Sequence, residues 1–245
     1  MVSKWKSTIL PILSSIVRDF GVGNNIGITK SFVPMEAFKG VQYAFLIGGF
    51  PRLPGMVRKD LITKNTAIFS EAGKAIDAVA DKNIKVLVVA NPANTNALVC
   101  MKEAKSIPRE NFAAMTRLDA NRAISLLREV ASSKLNKSVP LQAVKNVIIW
   151  GNHSDTQFPD VNFATIEGKP VREVIQDNDY LDGEFMNTVQ LRGKAIIAAR
   201  GLSSACSAAK AACDHMHDWV FGTAEVGDCV MVMIVGRVLH HVCLL

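Results

Sequence analysis

The 245 residues contain no Cys-x-x-Cys pair and no zinc-type spacing, only five scattered cysteines, Cys100, Cys206, Cys213, Cys229 and Cys243. An odd, unpaired set excludes a disulfide-stapled scaffold and points to reduced thiols in a cytoplasmic protein with no metal site. No apolar run approaches the roughly 20 residues that a spanning helix needs, so no membrane partner is expected. Aromatic residues make up only 7%. The lysines and arginines behind the formal net charge of +6 are dispersed. A nucleic-acid groove needs clustered cations interleaved with stacking rings, and this chain offers neither. The GxGxxG fingerprint of dinucleotide-binding turns is missing too. Gly21, Gly23 and Gly27 are spaced GxGxxxG between Pro11 and Pro34, a flexible turn rather than a phosphate cradle. The opening MVSKWKSTILPILSSIV begins basic and turns apolar, but Pro11 breaks the run and no small-residue cleavage site follows. It reads as a short buried helix, not a signal peptide.

What is present has a globular balance, 49% hydrophobic and 20% charged, in a chain long enough to bury a sizeable core. From Val41 the text becomes regular. Val41–Ile47 and Ile84–Ala90 are continuous apolar runs and predict buried strands. Lys59–Ala80 predicts a long amphipathic helix with Leu61, Ile68, Ala72, Ile76 and Val79 facing the core. Thr95–Lys105 predicts a helix, Ala113–Leu118 a short strand, Asp119–Ser133 a helix and Val144–Trp150 another strand. Alternating strands and helices with unbroken apolar strands predict an α/β fold around a doubly wound parallel sheet. After residue 153 the pattern changes. A hairpin is expected around Glu167-Gly168-Lys169, then helices over Glu184–Arg200 and Ser203–Trp219, broken near Gly201.

The chemistry concentrates in two runs, TRLDANRA (Thr116–Ala123) and WGNHSDTQFPD (Trp150–Asp160). Asp119 and Arg122 are three apart, so a helix projects both from one face. His153 sits in a polar loop behind an apolar strand. Histidine titrates nearest neutrality, a carboxylate fixes its tautomer, and a guanidinium grips a carboxylate through two parallel hydrogen bonds. Together they form a set for moving a proton beside a bound anion. Asn91 directly follows a strand, at the edge where open α/β sheets bind ligands. Arg52 lies in a loop between Pro51 and Pro54, and Arg58 follows it.

These runs, with GGFPRLPGMVRKDL (Gly48–Leu61), NPANTN (Asn91–Asn96) and LSSACSAAKAACDH (Leu202–His215), resemble the cytosolic-type malate dehydrogenases of the lactate/malate dehydrogenase superfamily. The motifs occur in the family's order from about Met35 to Thr223. The resemblance implies a Rossmann-type sheet, incomplete here, followed by a partial α+β catalytic domain. Residues 1–34 would be a divergent amino-terminal segment, 35–118 the remainder of a dinucleotide-binding domain, 119–223 the catalytic part and 224–245 a divergent tail. It implies NAD as cofactor, malate and oxaloacetate as dicarboxylate substrates, and a cytoplasmic homodimer. His153 would exchange the proton and Asp119 would orient it. Arg52, Arg58, Asn91 and Arg122 would bind substrate, and Asn65, Val89, Ala90 and Asn91 would contact the cofactor. Ser203, Ser204 and Ser207 would lie where the second domain closes on the site. The two arginines near position 52 suit a dicarboxylate better than a lactate-type monocarboxylate. A non-catalytic alternative, a shortened isoform acting by pairing with a full-length subunit, is motivated by the divergent ends.

Overall fold

Three short apolar strands set the frame: β1 (Tyr43–Leu46), β2 (Lys85–Val88) and β3 (Phe112–Ala114). The computed structural model describes residues 31–50 and 58–223. The GVGNNIG turn, the loop bearing Arg52 and the tail from Ala224 lie outside the described residues. The strands form one parallel sheet in the order β1-β2-β3, with Tyr43 beside Lys85 and Val86 beside Phe112. The turn α1 (Pro34–Ala37) precedes β1. The crossovers are the helices α2 (Arg58–Val79) and α3 (Ala93–Glu103).

Side chains alternate across the pleat. Val86 and Val88 face α2 and α3 in a core with Phe69, Ile76 and Cys100. Leu87 and Ala113 face the other way, against Ala212, Met216 and Trp219 of α8 (Cys206–Phe221). The sheet is therefore covered on both faces at β2 and β3. At β1 the expectation of a fully buried strand is corrected. Only Ala44 is buried there, and Tyr43 and Phe45 are exposed, because α8 does not extend over this strand. Burial pushes the Cys100 thiol up to about 12, so it stays a protonated packing residue.

Between β3 and α8 lies the second core. It is built from α4 (Arg117–Lys134), β4 (Val144–Lys145), β5 (Ile148–Trp150), β6 (Phe158–Asp160), the hairpin β7 (Thr165–Ile166) and β8 (Lys169–Pro170), the short helices α5 (Val171–Ile175) and α6 (Asn178–Asp182), and α7 (Glu184–Arg200). The hairpin stands where the sequence predicts it. Glu167 and Gly168 both take positive φ, 50° and 78°, as a two-residue turn of the twisted hairpin type requires. The single strand expected over Val144–Trp150 is instead two. Asn146 turns left-handed at φ 58°, so β4 pairs with β7 and β5 with β6. The strand expected to run to Leu118 stops at Ala114, because α4 starts at Arg117. Likewise α8 begins at Cys206, not Ser203.

The buried line of α2 runs through Asn65, Phe69, Gly73 and Ile76, while Ile68, expected inside, is exposed. Gly73 explains the shift. A Cβ there would lie 2.4 Å from the Cys100 carbonyl oxygen and 2.9 Å from Cβ of Glu103, so α2 and α3 touch backbone to backbone. Alanine in a helix normally gains about 1 kcal/mol over glycine. We expect Gly73→Ala to reverse that sign, destabilising by about 1–3 kcal/mol in urea unfolding, as overpacking does. An unchanged or raised midpoint would contradict the close approach.

His215 of α8 is fully buried, and neither ring nitrogen has a hydrogen-bond partner among the described residues. Burial, then the nearby Arg117 guanidinium, push its pKa down from 6.5 to about 4. The unfolded chain therefore binds the proton first as pH falls. The folded state is unpenalised above about 6.5 and loses stability toward pH 4, by on the order of 3 kcal/mol from this residue. Replacing it in His215→Leu should flatten the fall in urea midpoint between those pH values. A slope equal to wild type would show that His215 is not its source.

Candidate active site

β3 ends and α4 begins within three residues, which places Asp119 in the first turn of α4. A carboxylate is favoured there by the partial positive charge of the helix start. Asp119 is 1% exposed, and both of its oxygens are used. One Oδ accepts from Arg122 Nη1 at 3.1 Å, one helical turn on, and the other meets His153 Nδ1 at 2.6 Å. The three residues singled out in the sequence therefore converge. The Asp119 contact makes Nδ1 the protonated ring nitrogen and leaves Nε2 for exchange with a ligand. Arg122 also donates from Nη2 to Ser204 Oγ at 3.1 Å, which ties α4 to the segment that leads into α8.

The His153 loop is fixed from a second direction. Its backbone N–H donates to Asn94 Oδ1 at 2.9 Å, in the first turn of α3. Asn96, two residues on, donates to the Ala90 carbonyl at 2.9 Å. Asn65 is fully buried and clamps the ends of two loops. Its Oδ1 accepts from Phe50 N at 2.6 Å, and its Nδ2 donates to the carbonyls of Asn91 at 3.0 Å and Phe50 at 3.3 Å. These three bonds tie Asn65 to Phe50 and to Asn91, which lines the cavity. The Asn91–Pro92 bond is cis.

These residues surround a cavity of about 420 Å³. Val89, Ala90 and Asn91 form one wall, Asp119, Arg122 and His153 another, and Gln190, Gly193 and Lys194 of α7 a third, with Ser203 and Ser204 beside them. Ser207 lines a neighbouring cleft instead. Arg52 is outside the described residues, and Arg58 opens α2. Sequence reasoning passed over Asn94 and Lys194. The signal for Asn94 is its place in NPANTN, an amide in the first turn of the helix that follows the strand. Lys194 carries no local signal, because only the approach of α7 to the His153 loop brings it there. No group of three metal-ligating side chains occurs among the described residues, and no helix among them is long and apolar enough to cross a membrane.

Residues 116–238 match the model of the lactate/malate dehydrogenase alpha/beta C-terminal domain, and residues 23–113 that of the lactate/malate dehydrogenase NAD binding domain. The chain belongs to the lactate/malate dehydrogenase family. The matched stretches reach further at each end than the motifs legible in the sequence. The chain is 52% identical over 203 residues to cytoplasmic malate dehydrogenase 1 of Arabidopsis thaliana, covering 81% of this chain and 59% of that protein. It thus spans about three fifths of the curated relative's length. A crystal structure of malate dehydrogenase from Naegleria fowleri superposes with a TM-score of 0.84 at 42% identity, covering 94% of this chain and 68% of that one. A Trichomonas vaginalis lactate dehydrogenase in complex with NADH and oxamate superposes with a TM-score of 0.80 at 37% identity, covering 91% and 66%. The family's α/β architecture of parallel sheet and helical second core is the one described above.

Removing the Asn65 amide strands a half-buried N–H and two carbonyls. Asn65→Ala should cost about 2–4 kcal/mol in denaturant unfolding. It should also speed hydrogen exchange at the Phe50 amide. Unaltered exchange at Phe50 would mean that the clamp does not hold in solution.

Proposed function

We propose that this chain interconverts malate and oxaloacetate with NAD as the redox partner. The observation that carries the reading is the His153–Asp119–Arg122 arrangement, which puts a tautomer-fixed imidazole and a guanidinium in the lining of one cavity. Arg122 releases Asp119 in part to grip the C1 carboxylate of the substrate as a planar fork. This grip sets the 2-position against His153. In oxidation His153 Nε2 takes the hydroxyl proton, and Asp119 stabilises the imidazolium that forms. In reduction the same nitrogen returns the proton to the carbonyl oxygen. Asn91 orients the substrate oxygen from the strand end. Arg52 and Arg58 receive the second carboxylate, which selects a dicarboxylate.

The fit to NAD rests on the donor set of the opposite wall. Val89 and Ala90 offer an apolar backbone ledge at the carboxyl end of β2, flanked by Met115 and Leu118, with the Asn91 amide at its edge. That combination suits a flat ring carrying a carboxamide. When bound, the cofactor supplies or accepts the hydride at C2 of the substrate. The protein's share is to hold the ring against the ledge, to exclude water and to manage the proton. Residues 35–118 supply the cofactor side together with Arg52, Arg58 and Asn91 for the substrate, and residues 119–223 supply Asp119, Arg122 and His153. A cytoplasmic location accords with the Arabidopsis relative named as cytoplasmic, and a homodimer is what the family resemblance implies. A lactate-type monocarboxylate is the second reading, favoured by the likeness to the Trichomonas lactate dehydrogenase. The paired Arg52 and Arg58 weigh against it.

Loss of NADH absorbance on adding oxaloacetate to the purified 245 residues tests the reading. His153→Ala should lower turnover by about a thousandfold, the scale of a lost general acid, while NADH fluorescence still reports binding. Full turnover in that variant would overturn the assignment of His153. Turnover on pyruvate but not oxaloacetate would favour the second reading.

A further inference from the structure

Helix α7 presents one face to the cavity, with Gln190, Gly193, Lys194 and Ile197 at the i, i+3, i+4, i+7 spacing. Two of these residues reach the His153 loop. Gln190 Nε2 donates to the Gln157 carbonyl at 2.7 Å, and Lys194 Nζ forms a short ion pair with Asp155. The neutral bond already ties helix to loop, so the ion pair adds charge to the wall more than attachment. Gly193 leaves room beside it: a Cβ there would lie 3.9 Å from Arg122 Nη1. Two cations thus share one wall at different depths. The Arg122 side chain is 15% exposed and lies deep, while the Lys194 side chain is 68% exposed and stands at the rim. An ammonium has three donors, and its pairing with Asp155 (54% exposed) is solvent-screened and weak. A carboxylate entering the cavity can compete for it.

We propose that Lys194 is a specificity-determining residue of this site, an ammonium held in reserve by Asp155 that turns to the substrate carboxylate furthest from Arg122. The proposal rests on the dehydrogenase reading above and adds a residue to it. Arg122 takes the carboxylate common to all 2-hydroxy acids, and Lys194 joins Arg52 and Arg58 in receiving a second one from the α7 side. Asp155 sets how readily the ammonium is released. A pure clamp and a reserve cation predict different signs. If the pair only braced the loop, removing either member would weaken binding of every acid. If Lys194 serves the ligand, removing it weakens dicarboxylates, and removing its competitor strengthens them.

The test is calorimetric titration of the full 245-residue chain, in saturating NADH, with hydroxymalonate (two carboxylates) and oxamate (one), circular dichroism verifying each variant's fold. Lys194→Ala should weaken hydroxymalonate about 5–10-fold and oxamate less than about twofold, the scale of one exposed charge contact. Lys194→Arg should keep the wild-type preference. Asp155→Asn should tighten hydroxymalonate about 2–3-fold. Losses in the same direction for Lys194→Ala and Asp155→Asn, or equal shifts for both acids, would overturn the proposal and leave the dehydrogenase reading standing. Failure of the unaltered chain to bind either acid would overturn both, and the wild-type titration alone reports it.

Discussion

A carboxylate with almost no access to water holds this site together. Asp119 is buried where an unpaired charge would cost several kcal/mol, so its two partners are a structural necessity before they are a catalytic convenience. Arg122 supplies the countercharge from the same helix, and His153 arrives from a loop 34 residues later. Satisfying Asp119 therefore assembles the proton carrier and the anion grip in one act. The folding requirement and the chemical arrangement are the same set of bonds.

The surrounding architecture aims that cluster. β3 runs directly into α4, so the parallel sheet delivers Asp119 at its carboxyl edge, where β2 also delivers Ala90 and Asn91. From far along the chain, α8 returns to cover Leu87 and Ala113, and the segment before it offers Ser204 to Arg122. Arg117 and Asp218 pair at 2.7 Å across the same junction. The two cores meet around the cavity, and residues of the sheet side and of the second side face each other across it.

The elements with strong periodicity were legible in the sequence: α2, α4 and α7 stand within a residue or two of their expected spans, as do β1, β2 and the Glu167-Gly168 hairpin, while β3 ends four residues early. The pairing of Asp119 with Arg122 was legible, since they lie one helical turn apart, whereas the meeting with His153 depends on a loop 34 residues on and is seen only in the structure. What stayed hidden depends on neighbours distant in the chain. The break at Asn146 arises because β4 and β5 serve different partners, which no local apolar run announces. The exposure of Tyr43 and Phe45 goes with the α8 cluster packing on β2 and β3 and taking in no residue of β1. The role of Asn65 as a loop fastener lies in three backbone partners that no local pattern announces.

The backbone contact between α2 and α3 at Gly73 has a reach well beyond packing. Helix α2 carries Asn65, which fixes Phe50 and Asn91; helix α3 carries Asn94 and Asn96, which fix His153 and Ala90. With no side chain between them at Gly73, the two helices cannot slide independently, so they form a single jig. The ledge on one side of the cavity and the imidazole on the other are both measured from that jig. Their spacing is inherited from a helix crossing that touches no ligand, so a fault at the crossing would misalign the reacting groups while leaving every one of them in place.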